Sequence, residues 1–178
     1  MALTVWQTDL MVEWAGLKVL DGVDLRLVAS ASGIRAIEFD PRPAPEGQRN
    51  DGNPLLMEAV RQLQAYFAGQ LREFQLPLDI EGTEFQKRVW REVAAIPYGE
   101  TRSYLQIATA LGSPGAVRAV GAANGANPVP IVVPCHRVIG AKGRLVGYGG
   151  GLALKKRLLE REGCTTMSFP ITEPRAIK

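Results

Sequence analysis

The only histidine of the chain directly follows one of its two cysteines, in the segment Pro134-Cys135-His136-Arg137. An imidazole can take the proton of a thiol, and a neighbouring arginine or a helix N-terminus can favour the thiolate, so Cys135 is a candidate nucleophile and His136 a candidate base. Neighbouring side chains on an extended segment point to opposite faces, which leaves both a direct Cys–His bond and a bridging water open. A buried structural cysteine beside a hydrogen-bonded histidine is the alternative. Cys164 has no such neighbours and is interpreted as incidental.

Composition leaves one other class of enzyme open and disfavours metal sites and membrane spans. A cysteine hydrolase would need a residue that orients the histidine, and Asn127 could serve, so that class stays open. Two Cys and one His are too few for a four-ligand zinc site made of these residues alone, and neither metal nor cofactor is expected. No apolar run approaches the length of about 18 residues that suggests a membrane span. We therefore expect no membrane partner and a reducing, cytoplasmic setting with free thiols.

The charge of the chain is unevenly distributed. Residues 1–80 contain seven Lys or Arg and eleven Asp or Glu, whereas residues 81–178 contain fourteen and seven. Eight basic residues and no acidic one lie between Thr101 and Leu159. Such a one-signed stretch suits a polyanionic partner, although a solvated basic surface is the alternative.

Around these residues, the N-terminal half shows patterns typical of a small sheet with one helix. Period-two alternation predicts a hairpin from strands at 23–29 and 33–39, with weaker strand candidates at 2–8 and 16–20. The Pro-rich segment 41–54 is predicted to be a surface loop. Asn53 can cap a helix from Pro54 to about Leu71.

The C-terminal half predicts helices joined by a short turn. Thr83 and Gln86 form a capping-box pattern before a helix from about Glu84 to Ala95. Ser103 can cap a helix from Tyr104 to Leu111, and the turn 112–115 leads to a third helix from about Ala116 to Asn124. Helix, short Gly-containing turn and helix are typical of a helix-turn-helix.

The second helix of this unit is nearly bare, since Arg118 is its only long polar side chain before Asn124. Reading base edges in the major groove requires several polar side chains, so this helix predicts weak sequence specificity. It could lie close to a groove floor and push one side chain into the base stack. A helix packed in the core is the alternative.

In these segments the sequence resembles the O6-alkylguanine-DNA alkyltransferases. The resemblance is continuous from about Gly82 to Gly163 and weaker in the hairpin and first helix. It depends on blocks that agree in order and spacing: Pro134-Cys135-His136-Arg137-Val138, Phe85-Gln86-Lys87-Arg88-Val89-Trp90, Ile96-Pro97-Tyr98-Gly99-Glu100-Thr101, Arg118-Ala119-Val120-Gly121, Asn127-Pro128 and Gly147-Tyr148-Gly149-Gly150-Gly151.

The resemblance implies an α+β fold and a direct-reversal repair reaction. The family flips an alkylated guanine out of duplex DNA and moves the alkyl group irreversibly to a cysteine, so each molecule acts once. An N-terminal α/β domain at 1–79, a helix-turn-helix and alkyl-acceptor domain at 80–166 and a tail at 167–178 are expected. The expected partner is duplex DNA containing O6-alkylguanine, bound by a monomer, with cooperative binding along DNA left open.

The resemblance also implies roles for individual residues. Cys135 is expected to be the acceptor, His136 the base acting through water, and Glu162 the carboxylate that orients it. Asn127 resembles a hinge residue and Tyr104 a hydroxyl donor to the purine. The expected pocket contacts are the Val138 carbonyl, the Tyr148 side chain and the Gly149 backbone N–H. Arg118 is the expected finger that replaces the flipped base. The remaining DNA contacts are expected from Ala116, Ala119, Gly121, Ala123 and Arg102.

The sequence also departs from the family pattern. Some members bind zinc in the N-terminal domain, and this chain has no Cys or His before Cys135. Some have Ser at the position of Gly149. A related group that only senses damage has Trp in place of the cysteine, so Cys135 argues against that group. A non-transferring binder of alkylated DNA, a helix-turn-helix regulator and a Cys/His hydrolase are the alternatives to repair.

Overall fold

The computed structural model describes residues 12–19, 23–39 and 47–164. It has the predicted α+β architecture, with a mixed sheet and one helix followed by a mainly helical part. The elements in chain order are β1(Glu13–Val19), β2(Val23–Ala29), β3(Ile34–Phe39), β4(Gln48–Arg49), α1(Pro54–Phe67), α2(Glu84–Ala94), β5(Arg102–Ser103), α3(Tyr104–Ala110), α4(Val117–Gly125), β6(Val138–Ile139) and α5(Gly151–Arg161).

The N-terminal sheet has the order β3-β2-β1-β4. The predicted hairpin of β2 and β3 is confirmed, and β1 pairs antiparallel with β2. Residues 16–19 of the weak candidate at 16–20 belong to the longer strand β1, whereas residue 20, the candidate at 2–8 and the tail at 167–178 lie outside the described residues. Residues 47–54 of the predicted loop are not wholly irregular, because β4 pairs there in parallel with β1. This strand was missed since its partner lies far back along the chain.

The helices begin where their caps predict. The Asn53 side chain accepts hydrogen bonds from the first turn of α1, and complete capping boxes open α2 and α3 at Thr83 and Ser103. Helix α1 ends at Phe67, earlier than predicted, because the chain turns at Gly69 with a φ of 75° that favours glycine. A 3-10 turn at Pro114–Ala116 precedes α4 and delays its start by one residue.

One continuous hydrophobic core contains residues of both halves, among them Leu27, Leu63, Val93 and Ile107. A backbone hydrogen bond of 2.8 Å from Ile37 N to Pro128 O also joins β3 to the segment after α4. This contact places the end of β3 beside the loop that leads to Cys135. The domain boundary at residues 79–80 stays a prediction.

Candidate functional site

Cys135 begins a 3-10 turn, Cys135–Arg137, that leads directly into β6. The loop before it is fixed by Asn127, whose side chain donates to Val133 O at 2.8 Å and accepts from Val129 N at 3.1 Å. Ile131 in this loop has a φ of 76°, which is a strained conformation for a β-branched residue and costs on the order of 1–3 kcal/mol. The surrounding contacts must therefore hold the loop in place. Asn127 contacts the loop rather than His136, which removes the reason to consider it as the residue that orients the histidine.

His136 is fully buried and forms a hydrogen bond of 2.8 Å between its Nε2 and Glu162 Oε1. Because a carboxylate only accepts, Nε2 carries the hydrogen and Nδ1 presents a lone pair. Burial lowers the pKa of His136, although Glu162 acts to raise it. The imidazole is therefore neutral at pH 7, and its bare nitrogen can accept a proton.

The Glu162 carboxylate is surrounded by donors in addition to His136. Arg137 donates from Nε to Oε2 at 2.8 Å and from its second terminal nitrogen to Oε1 at 3.0 Å. The Tyr66 hydroxyl donates to Oε1 at 2.7 Å. Burial acts to raise the pKa of Glu162, but the hydrogen bonds from His136 and Arg137 lower it to about 2. Glu162 is thus a buried anion rather than part of a solvated helix face.

Arg137 does not act on the cysteine as the sequence suggested, because its guanidinium binds Glu162 and, at 2.6 Å, Ile96 O. The cation that acts on the thiol is Lys155, which is fully buried. Burial raises the pKa of Cys135, whereas the Asn127 amide and the Lys155 ammonium act to lower it. At rest the site thus holds a neutral thiol, a neutral imidazole and a charged amine.

Lys155 links strand β6, which follows the reactive turn, to the loop at Val146. Its Nζ donates to Val138 O at 2.6 Å and to Val146 O at 3.1 Å. Burial lowers the pKa of Lys155 to about 8, although Cys135 acts to raise it. The ammonium can therefore stabilise a thiolate formed at Cys135 while it fixes the Val138 carbonyl.

Cys135 lines a cavity of about 420 Å³. Its walls come from both halves of the chain: Ile37, Glu38, Phe39, Tyr104, Gly121, Asn124, Gly125, Asn127, Pro130, Cys135, Gly147, Tyr148 and Gly149. Buried polar atoms at or near it include Asn124 Oδ1, His136 Nδ1 and the Tyr148 hydroxyl, which have no hydrogen-bond partner among the described residues. Buried polar groups are normally satisfied, so these atoms can bind substrate or water.

The residues expected around the purine are placed as follows. Tyr104, Tyr148 and Gly149 line the cavity with Cys135, and burial raises the pKa of both tyrosines, which keeps their hydroxyls protonated. Val138 is buried and lies outside the cavity lining. Its carbonyl already accepts a bond from Lys155, so one lone pair remains for another donor.

The expected DNA contacts divide between the surface and the core. Arg118 and Ala119 of α4 are exposed, and Ala116 and Gly121 are half-buried. Ala123 was wrongly placed on this face, because it is 3% exposed and packs in the core against α2, where its carbonyl accepts from Trp90 Nε1 at 2.8 Å. Helix α4 therefore presents one face to solvent and one to the core. Arg102 is half-buried and lies 3.5 Å from Glu92, so it is not a free phosphate ligand.

Sequence reasoning missed the roles of Lys155 and Tyr66 in this network. A signal for Lys155 exists, since it shares a face of α5 with Leu158 and Leu159 and is separated from Glu162 by two helical turns. Tyr66 is on the core face of α1, and its partner lies in another half of the chain, so no local pattern identifies the pair.

Candidate metal sites and membrane spans are both absent from the described residues. No three His, Cys, Asp or Glu side chains within residues 12–19, 23–39 and 47–164 are grouped as ligands of a metal ion. In the same part of the chain, no helix is both long and apolar enough to cross a membrane.

Comparisons with known proteins identify the family of the chain. Residues 24–80 match the ribonuclease-like domain of 6-O-methylguanine DNA methyltransferase, and residues 84–164 match its DNA-binding domain. A methylated-DNA–protein-cysteine methyltransferase of Mycolicibacterium paratuberculosis is 66% identical over 148 residues, which are 83% of this chain and 86% of that protein. One from Methanosarcina acetivorans is 60% identical over 113 residues, or 64% of this chain and 72% of that protein.

Solved structures show the same likeness. The O6-methylguanine methyltransferase of Mycobacterium tuberculosis superposes with a TM-score of 0.79 at 46% identity, over 89% of this chain and 96% of that one. The M. tuberculosis protein in complex with DNA gives a TM-score of 0.78 at 48% identity, over 84% and 92% of the two chains. The chain therefore belongs to the 6-O-methylguanine DNA methyltransferase family.

Proposed function

We propose that this protein repairs O6-alkylguanine in duplex DNA by moving the alkyl group to Cys135. The observation that carries the proposal is Cys135 in the wall of a cavity, next to a buried neutral histidine held by an ionised glutamate. The similarity to proteins named methylated-DNA–protein-cysteine methyltransferases supports the substrate class, and the similarity to a DNA-bound relative supports duplex DNA as the partner.

The reaction balances without a cofactor. Cys135 gives its proton through a bridging water to His136 Nδ1, and the Lys155 ammonium stabilises the thiolate. A bond then forms between Sγ and the alkyl carbon as the bond from that carbon to O6 breaks, and its electron pair stays on O6. The resulting purine anion takes one proton, which His136 returns through water, and becomes guanine, so that His136 is neutral again. Because the alkyl group of the thioether is not readily displaced from Cys135, one molecule repairs one lesion.

Proposed roles for the other cavity residues follow from their positions. The Tyr104 hydroxyl donates to the purine as negative charge develops on it, and the Gly149 N–H and the Tyr148 side chain line the same cavity. Val138 lies outside the cavity lining, so it is the resemblance alone that assigns the remaining lone pair of its carbonyl to the exocyclic amine. Arg118, exposed on α4, fills the gap in the stack when the base is flipped.

Affinity for DNA is proposed to come from the phosphates. Arg118 is the only polar side chain on the exposed face of α4, whose other residues are small, so this helix reads base edges weakly. Binding that depends on phosphate contacts should weaken as the salt concentration rises. A free thiol is required at Cys135, so the proposed site of action is a reducing compartment such as the cytoplasm.

The test follows the lesion in the DNA. A duplex with one O6-methylguanine is incubated with equimolar protein, hydrolysed, and analysed for O6-methylguanine and guanine. The wild type and the Cys164→Ser control are expected to restore guanine, whereas Cys135→Ser leaves the lesion in place and still binds the duplex. The proposal would be overturned if Cys135→Ser removed the lesion, or if the lesion persisted with the wild type and with Cys164→Ser, in which the Cys135 thiol is intact.

A further inference from the structure

Tyr66 connects the N-terminal half to the carboxylate of the site. It lies in the last turn of α1, is fully buried, and donates its hydroxyl hydrogen to Glu162 Oε1 at 2.7 Å. The ring is held by other aromatic rings, with centroid distances of 5.3 Å to Phe67, 5.4 Å to Phe74 and 6.3 Å to Tyr98. This packing fixes the direction from which the hydroxyl approaches the carboxylate.

Tyr66 and His136 bind the same oxygen. Oε1 of Glu162 accepts from His136 Nε2, from the Tyr66 hydroxyl and from Arg137, whereas Oε2 accepts only from Arg137 among the described residues. Each additional donor on Oε1 takes part of its negative charge. Tyr66 thus weakens the attraction of Glu162 for a protonated imidazole while it fixes the plane of the carboxylate.

We propose that Tyr66 is a positioning residue of the transfer reaction, whose hydroxyl sets the orientation of Glu162 and thereby the tautomer and proton affinity of His136. The part of the proposal that concerns the transfer reaction rests on the proposed function, whereas the effect of Tyr66 on His136 does not depend on it. In this arrangement the N-terminal half takes part in the chemistry of a site whose reactive residues belong to the C-terminal half.

Other groups also act on His136 and must be kept constant in a test. Glu162, Arg137 and Lys155 act on it through charge. The Tyr148 ring lies 6.4 Å away, centroid to centroid, and Cys135 precedes it in the chain. A Tyr66→Phe substitution removes one hydroxyl and leaves each of these groups and the aromatic packing in place.

The chain offers a matched control in Tyr98. Its ring belongs to the same aromatic cluster, but its hydroxyl donates to Arg161 O at 3.1 Å and not to Glu162. Tyr98→Phe therefore removes a tyrosine hydroxyl near the site without changing the donors to the carboxylate.

The experiment uses the full chain labelled with 15N-histidine, which gives the signals of one imidazole because the chain has one His. At pH 7 we expect the wild type to show one tautomer, with the hydrogen on Nε2. In Tyr66→Phe the stronger bond to Glu162 should move the Hε2 resonance downfield. The midpoint of His136 protonation should rise by roughly 0.5–1 pH unit, as expected for one hydrogen bond.

The midpoint of the acidic limb of the pH–rate profile for transfer should move to higher pH together with the midpoint of His136 protonation. At pH values below both midpoints, Tyr66→Phe should then react about three- to tenfold more slowly than Tyr98→Phe, and equally fast at pH 8. Unchanged imidazole signals in Tyr66→Phe at pH 7 would overturn the inference, as would the same shift in Tyr98→Phe. If neither wild type nor variant transfers an alkyl group, the proposed function fails and the imidazole signals still decide the role of Tyr66.

Discussion

At the scale of single residues, the site depends on one carboxylate that accepts hydrogen bonds from three neighbouring side chains. Glu162 is 4% exposed and accepts from His136, Arg137 and Tyr66. Its removal leaves the Arg137 charge buried without a partner, which is one of the most costly changes that a protein core can undergo.

Glu162→Gln is therefore expected to lower both activity and stability. The free energy of unfolding should fall by about 3–5 kcal/mol, measured by urea denaturation, and the transfer rate should fall at least about tenfold. Glu160→Gln is the matched control, since Glu160 lies two residues before Glu162 and is exposed. A stability equal to that of the control would show that the carboxylate is not buried as described.

Lys155 gives a second prediction at this scale. In Lys155→Met the stem remains, but the charge that acts on Cys135 and the donors to Val138 O and Val146 O are lost. The pKa of the thiol should rise, so that reaction with a free O6-alkylguanine slows at neutral pH and recovers at higher pH. Lys156→Met, at an exposed position, is the control. A pH profile identical to that of wild type would exclude Lys155 from thiolate stabilisation.

At the scale of elements, β3 closes the cavity from the N-terminal side. The Phe39 ring lies 5.5 Å from the Tyr148 ring, centroid to centroid. It also lies close to Gly150, because a Cβ added there would be 3.2 Å from the Phe39 ring. The end of a strand far from Cys135 in sequence thus limits the space beside it.

Phe39→Ala is expected to enlarge the cavity and favour larger alkyl groups. The ratio of the rates for O6-benzylguanine and O6-methylguanine should rise by about tenfold, which corresponds to about 1.4 kcal/mol. Phe85→Ala is the control, since Phe85 packs against the core and does not line the cavity. A ratio that stays at the wild-type value would exclude β3 as a determinant of alkyl size.

Helix α4 gives the second prediction at this scale. Arg118→Ala should slow repair in duplex DNA by about tenfold or more and leave the reaction with free O6-alkylguanine nearly unchanged, because only the duplex reaction requires extrusion of the base. Arg157→Ala tests for a general loss of positive charge, since Arg157 is exposed on α5. Equal losses in the duplex and free-base assays would show that Arg118 does not act through flipping.

At the scale of the whole molecule, the buried ion network links stability to pH. The pKa of Glu162 is about 2 in the folded chain against an ordinary value near 4.5, so the folded state loses stability as the pH falls from about 4.5 towards 2. The lowered pKa of His136 has the same sign, since the unfolded chain gains that proton first as the pH falls below about 6.5.

Urea denaturation between pH 7 and pH 3 measures this dependence. The free energy of unfolding should decrease steadily with acid, by on the order of 2 kcal/mol from Glu162 alone down to pH 3. The slope should be smaller in Glu162→Gln, which cannot bind the proton. Equal slopes in the two proteins would place the acid sensitivity elsewhere.

Local signals predicted the elements well, and long-range contacts account for what was missed. Caps at Asn53, Thr83 and Ser103 determine helix starts through neighbours within three residues, which a sequence displays directly. The pairing of β4 with β1 and the bond from Tyr66 to Glu162 join distant segments. Burial of Ala123 depends on which side of α4 meets α2, and a helix of small residues gives no amphipathic pattern to show it.

The central claim is that Cys135 is the permanent acceptor of one alkyl group. The most direct test is peptide mass spectrometry after incubation with an excess of duplex containing a single O6-methylguanine. The account predicts one added methyl group per chain, located on the Cys135 peptide, with the Cys164 peptide unchanged however much duplex is added. An unmodified Cys135 peptide in a protein that still binds the damaged duplex would contradict transfer and indicate a protein that only recognises the lesion.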